Sequence, residues 1–159
     1  MKQFFARGLV VMAGVVSLPA SFSHLTHRSA TAVPVPHEDS RLGTLRSFFR
    51  EIDCPALDYA ATFLEAADDN DLDWRLLPGI AYVESTCGKV AQNNNLFGWN
   101  SGRTDFPSPA AAIHTVAHRL THSPLYRNKG VDEILATYNR NAEYAQKVKS
   151  VMQRIAASE

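Results

Sequence analysis

Apolar residues recur at helical spacing along most of the chain beyond residue 44 and predict about five helices separated by polar breaks. Residues 45–52 (LRSFFREI) are apolar on one side and give a short first helix. Pro55 then stands where a first helical turn tolerates proline, and Leu57, Ala60, Ala61, Leu64 and Ala67 continue at helical spacing up to the acidic cluster 68–73. Asp73 is the expected N-cap of the next helix. Leu76, Leu77, Ile80, Ala81 and Val83 make that helix apolar nearly all round, which marks it as central and buried. Pro78 falls early enough to bend it rather than end it, and Gly88 is its expected stop.

Residues 92–107 break the helical period. Asn93, Asn94 and Asn95 are followed by Leu96-Phe97-Gly98-Trp99, the turn-prone Asn100-Ser101-Gly102, and 103–106, a pattern that fits a short hairpin or structured loop. Ser108-Pro109 caps and starts a helix to about His122, ended by Ser123 and Pro124. Residues 131–138 and 143–155 form the last two, the second carrying Ala145, Val148, Val151, Met152 and Ile155 on one face. The expected class is mainly α with a small β-hairpin.

The first 44 residues follow other rules. Lys2 and Arg7 precede an uncharged apolar run, LVVMAGVVSL, and Ser21-Phe22-Ser23 supplies small residues where a signal peptidase reads, so 1–23 is expected to be a secretory signal. The alternative is a membrane anchor, but the run is far short of the roughly 20 residues that span a hydrocarbon core. Residues 24–44, rich in His, Ser, Thr and Pro with no apolar period, read as a flexible linker, which leaves 45–159 as the folded domain.

Removal of the signal leaves 14 Lys and Arg against 16 Asp and Glu, a slightly acidic balance without the basic face that nucleic acid requires. A neutral or zwitterionic polymer is the easier partner, and a monomer is expected. The two cysteines, Cys54 and Cys87, are sent to an oxidising compartment, where one bridge between them is the natural pairing. Two buried free thiols are the alternative.

Glu84 is the first candidate for chemistry, because it ends the apolar run IAYVE, and burial beside such a surface keeps a carboxyl protonated, as a general acid requires. A lone glutamate at a helix end is more often solvated, and its context carries the rest of the reading. Residues 76–99, LLPGIAYVESTCGKVAQNNNLFGW, place Glu84-Ser85, then Gly88-Lys89, then Asn94-Asn95-Leu96-Phe97-Gly98 in that order. Further on, Ala136-Thr137-Tyr138-Asn139 precedes Tyr144-Ala145 and Val148. Together these motifs resemble the peptidoglycan-cleaving N-acetylglucosaminidases of the lysozyme-like superfamily, whose Tyr-Asn and Tyr-Ala signature is shared with lytic transglycosylases. Lytic transglycosylases usually carry Gly-Leu-Met-Gln where this chain has Asn95-Leu96-Phe97-Gly98, which tells against that group.

The resemblance implies a lysozyme-like α+β domain and an exported glycosidase that cleaves β-1,4 bonds between N-acetylglucosamine and N-acetylmuramic acid, with peptidoglycan strands as partner and no cofactor. It puts the catalytic acid on Glu84 and the core tyrosine near the reactive sugar on Tyr138. The glycan-contacting loop falls on 94–99, so Asn94, Asn95, Phe97 and Trp99, with Ser85, Asn139 and Tyr144, are the expected substrate-binding residues. Aromatic faces such as Trp99 and Tyr144 stack on pyranose rings, and amides pair with N-acetyl and hydroxyl groups. Phe97 and Tyr138 also fit a second role as core plugs that hold the loop.

A standard glycosidase uses two carboxyl groups, and Asp105 on the far arm of the expected hairpin is the candidate partner, against a reading as a plain turn residue. Without it, the sugar's 2-acetamido group or 6-hydroxyl can act as the internal nucleophile. Asp132 and Glu133 are explained by the dipole of the helix they start. His114, His118 and His122 share one helix face, but the usual zinc motif places Glu after the first His and Thr115 stands there, so no metal is expected. The competing functions are non-hydrolytic cleavage to an anhydro end, a wall-binding module without turnover, and an inhibitor-like structural protein.

Overall fold

The computed structural model describes residues 39–158, so the expected signal peptide and all of the linker up to residue 38 lie outside the described residues. The described chain is mainly helical: α1 (Ser40–Glu51), a 3-10 turn (Leu57–Tyr59), α2 (Ala60–Asp68), α3 (Leu76–Ser85), α4 (Pro109–His122), α5 (Val131–Tyr138) and α6 (Ala142–Ala156). Three of these stand almost where the apolar period puts them. Ser108 accepts the backbone N–H of Ala111 ahead of Pro109, as its place at an N-cap requires, and α5 and α6 match their patterns to within one residue.

α1 begins five residues earlier than its apolar stripe suggests, so residues 40–44, read from composition as linker, belong to the helix. The cause is polar. The Asp39 carboxylate accepts the backbone N–H of Arg41 at 2.9 Å and caps the first turn. Arg41 also bonds both Asp39 and Asp68, which ties the start of α1 to the end of α2.

α3 is the central helix: Leu76, Leu77, Pro78, Gly79, Ile80, Ala81 and Ser85 are all buried. Asp73 acts one turn before it rather than as its cap residue, accepting the N–H of Arg75 at 3.0 Å, and Arg75 itself occupies the cap position. Pro78 sits third in the helix, inside the first turn, where a backbone N–H has no helical partner to lose. α3 packs chiefly on α6, and α2 on α4. The close crossing of α3 and α6 depends on Gly79, where an added Cβ would lie 3.2 Å from Met152 Cγ and 3.3 Å from Val148 Cγ1. Phe48, Phe49, Phe63 and Phe97, all fully buried, fill the core beside these helices.

α3 stops more abruptly than a single glycine would make it. Thr86, Cys87 and Gly88 take consecutive positive φ values of 51°, 60° and 100°. Cys87 within this turn is disulfide-bonded to Cys54, which follows α1, over a sequence separation of 33. A closure of that length constrains the unfolded chain by roughly 4 kcal/mol in the chain-entropy account.

The expected hairpin does not form: among the described residues 92–107 there is no strand pairing. The segment is instead a succession of left-handed turns at Asn93, Asn94, Gly98, Asn100, Ser101 and Gly102. Asparagine is the side-chain-bearing residue that best tolerates this region, which accounts for the Asn-rich composition. Its backbone groups are satisfied by local main-chain turns and by side chains rather than by a facing strand. Only the ends meet, where Phe106 N–H donates to Asn93 O at 3.0 Å and the Asn94 amide donates to Phe106 O at 2.8 Å.

Candidate active site

Glu84 occupies the last turn of α3, half-buried, with the 98–104 loop against it. Burial raises its carboxyl above the ordinary value, and the nearby Tyr144 hydroxyl draws it part of the way back. That hydroxyl is buried and has no hydrogen-bond partner, so it favours the Glu84 carboxylate by proximity without being aligned for a full bond. Burial and the neighbouring Glu84 in turn push the Tyr144 phenol far up.

Gly98 decides how close the loop comes. Its φ of +58° suits glycine, and a Cβ there would lie 2.6 Å from Glu84 Oε2, inside contact distance. The loop backbone therefore lies directly against the carboxyl, and Glu84 and Gly98 line two clefts together. The larger, of about 580 Å³, also has Trp99, Arg119, Tyr126 and Tyr138 in its wall. The smaller, of about 160 Å³, also has Ser85, Gln92, Asn95 and Gly102. Glu84 is the one carboxylate among the described residues that line either cleft.

An aromatic cluster builds the larger wall. The Trp99 ring meets Tyr138 edge-on at 5.7 Å and Tyr126 at 6.1 Å, and Tyr138 stacks on Tyr144 at 5.9 Å. The Tyr138 hydroxyl donates to Phe97 O, which fastens α5 to the loop. Burial and the nearby Glu84 charge hold this phenol protonated well above its usual range. Tyr138 thus lines the cleft and braces it at once.

The predicted site residues separate into two groups. Glu84, Trp99, Tyr138 and Asn139 come together on the larger cleft, and Tyr144 lies behind them beside Glu84. Ser85 and Asn95 line the smaller cleft, although both are almost fully buried and their polar groups are engaged within the fold, and Phe97 lies in the core. Ser85, 3% exposed, donates to Leu96 O at 2.7 Å and accepts from Gly88 N at 2.8 Å. The Asn95 side chain, also 3% exposed, accepts from Trp99 N at 2.8 Å and donates to Trp99 O and Thr104 O. Phe97 packs its ring on Phe63. Asn94 is exposed, but its amide is engaged with Phe106 O.

Asp105 is exposed and lies outside the residues that line the Glu84 clefts. His118 and His122 stack at 4.2 Å, the second with Nδ1 2.7 Å from Thr121 Oγ1. No group of three His, Cys, Asp or Glu among the described residues is placed to hold a metal ion. Arg119, Leu125 and Tyr126 line the cleft without any local pattern that announces them. No family model, curated protein or solved structure matches this chain.

Proposed function

We propose that this chain is an enzyme that breaks a glycosidic bond, with Glu84 as the acid that protonates the departing oxygen. More narrowly, it is an exported peptidoglycan glycosidase of the lysozyme-like superfamily, acting on β-1,4 bonds between N-acetylglucosamine and N-acetylmuramic acid. The supporting observation is a half-buried carboxyl with a raised pKa, in close contact with Gly98 and lining two clefts, one of them walled by the Trp99 indole. A polymer laid along both clefts brings an internal bond to the acid, and indole faces take pyranose rings. The disulfide suits an oxidising compartment, and no helix among the described residues is long and apolar enough to cross a membrane.

The position of Asp105 favours a variant of this chemistry. With no second carboxylate in the cleft walls, the nucleophile is supplied by the sugar itself. Glu84 gives its proton to the leaving oxygen as the C1–O bond breaks. In the non-hydrolytic form the sugar's 6-hydroxyl then bonds to C1 and returns its proton to Glu84, leaving an anhydro end without consuming water. In the hydrolytic form the 2-acetamido group bonds to C1 first, then water bonds to C1 as the ring of that intermediate opens, giving its proton to Glu84 and leaving a reducing end.

Incubation of purified sacculi with the protein, followed by mass analysis of the released fragments, tests both levels. Glu84→Gln is expected to lose about 10² to 10⁴ in rate while the fold is retained, since the amide matches the carboxyl in shape but carries no transferable proton. Full activity in that variant removes Glu84 from the mechanism. Fragments lighter by one water than their reducing counterparts identify the anhydro product.

A further inference from the structure

Arg119 carries an inference that goes beyond the bond-breaking step. It projects from the last turn of α4 into the larger cleft, where it is exposed, and its guanidinium lies 5.6 Å from the Trp99 ring centroid. Among the described residues no carboxylate pairs with it. Glu84, the one acid in the cleft wall, is shifted by burial and by Tyr144, so Arg119 is not its counter-ion. An unpaired guanidinium beside the stacking surface presents the planar donor fork that a carboxylate accepts in two parallel hydrogen bonds. Contact with the indole also holds the planar head in place, which lowers the entropy lost when it engages a ligand.

We infer that Arg119 is a specificity-determining residue that binds a carboxylate of the substrate, so that the preferred ligand is an acidic glycan. The inference rests on the glycan-cleaving reading for the polymer class. Two sources supply this chemistry within a muramyl polymer. One is the lactyl carboxylate on the muramyl ring, which is free only after the stem peptide has been removed. The other is a carboxylate of the stem peptide itself. The first is favoured, because Arg119 stands against Trp99, where a sugar ring lies, and a group carried directly on that ring reaches it. The reaction that prepares the substrate is then an amide hydrolysis that strips the peptide from the strand.

The test reads binding rather than turnover. The full chain carrying Glu84→Gln is titrated calorimetrically with three tetrasaccharides: a peptide-free muramyl glycan, the same glycan with its peptides, and an uncharged chitin tetrasaccharide. The peptide-free glycan is expected to bind about ten- to a hundredfold more tightly than chitin, the range set by one hydrogen-bonded charge pair. Arg119→Met removes that advantage by weakening binding of the peptide-free glycan far more than that of chitin, and Arg119→Lys restores part of it. A preference for the peptide-bearing glycan that is lost in Arg119→Met assigns the carboxylate to the peptide. Equal affinity for charged and uncharged glycans, or a preference that survives Arg119→Met, overturns the inference. If the native chain cleaves sacculi but shows no such preference, the role of Arg119 falls and the proposed function stands. Arg119-dependent binding without cleavage gives the reverse.

Discussion

At the scale of single residues, the site depends on how much a buried carboxyl and its nearest neighbours perturb one another. Glu84 is kept towards its protonated form by burial, and the Tyr144 hydroxyl opposes this in smaller measure. An acid must hold its proton to act, so activity falls as pH rises through the Glu84 pKa. Tyr144→Phe removes the group that favours the carboxylate and is expected to move this alkaline limb to higher pH. The same change deletes a buried hydroxyl with no hydrogen-bond partner, so stability should hold or rise slightly. A pH–rate profile and urea unfolding of the variant check both outcomes, and a limb that moves to lower pH contradicts the assignment. Gly98 works through shape alone: its missing Cβ is what allows the loop backbone to touch Glu84 Oε2.

At the scale of elements, the 92–107 segment shows how an Asn-rich sequence builds a loop without strands. Asn95 is its inner post, since one amide satisfies the N–H and C=O of Trp99 and the C=O of Thr104. Asn95→Ala leaves those groups buried without partners and is expected to cost about 2–3 kcal/mol in urea unfolding, with weaker glycan binding as a consequence. Had Asn95 served as a glycan contact, the substitution would weaken binding while leaving stability unchanged. The hairpin expectation failed at this point. The Asn-Ser-Gly signal for a tight reversal is real, and Asn100, Ser101 and Gly102 do turn left-handed. What the sequence lacked was a sign that Asn95, Ser85 and Tyr138 would take up the backbone groups a strand partner would otherwise have bonded.

At the scale of the whole molecule, the cleft is assembled from the end of α3, the 98–104 loop, the last turn of α4, residues 125 and 126, and the end of α5. Asp105 is next in sequence to Thr104, which lines that cleft, yet Asp105 points out to solvent. Asp105→Asn is therefore expected to keep close to native activity on sacculi, and a loss of orders of magnitude would restore it as a second carboxylate. The sequence by itself determined most helix positions and the buried character of α3, which follow from local periodicity, and it allowed one cysteine pairing and singled out Glu84 through its motif context. The tertiary structure alone decided that the Ser85 and Asn95 polar groups are used within the fold, that Phe97 is buried, that Asp105 stays outside, and that Arg119 and Tyr126 share a cleft with Glu84. Periodicity shows which side of a helix is apolar, but which polar side chains share a cleft depends on how segments far apart in the chain cross, and no local pattern encodes that.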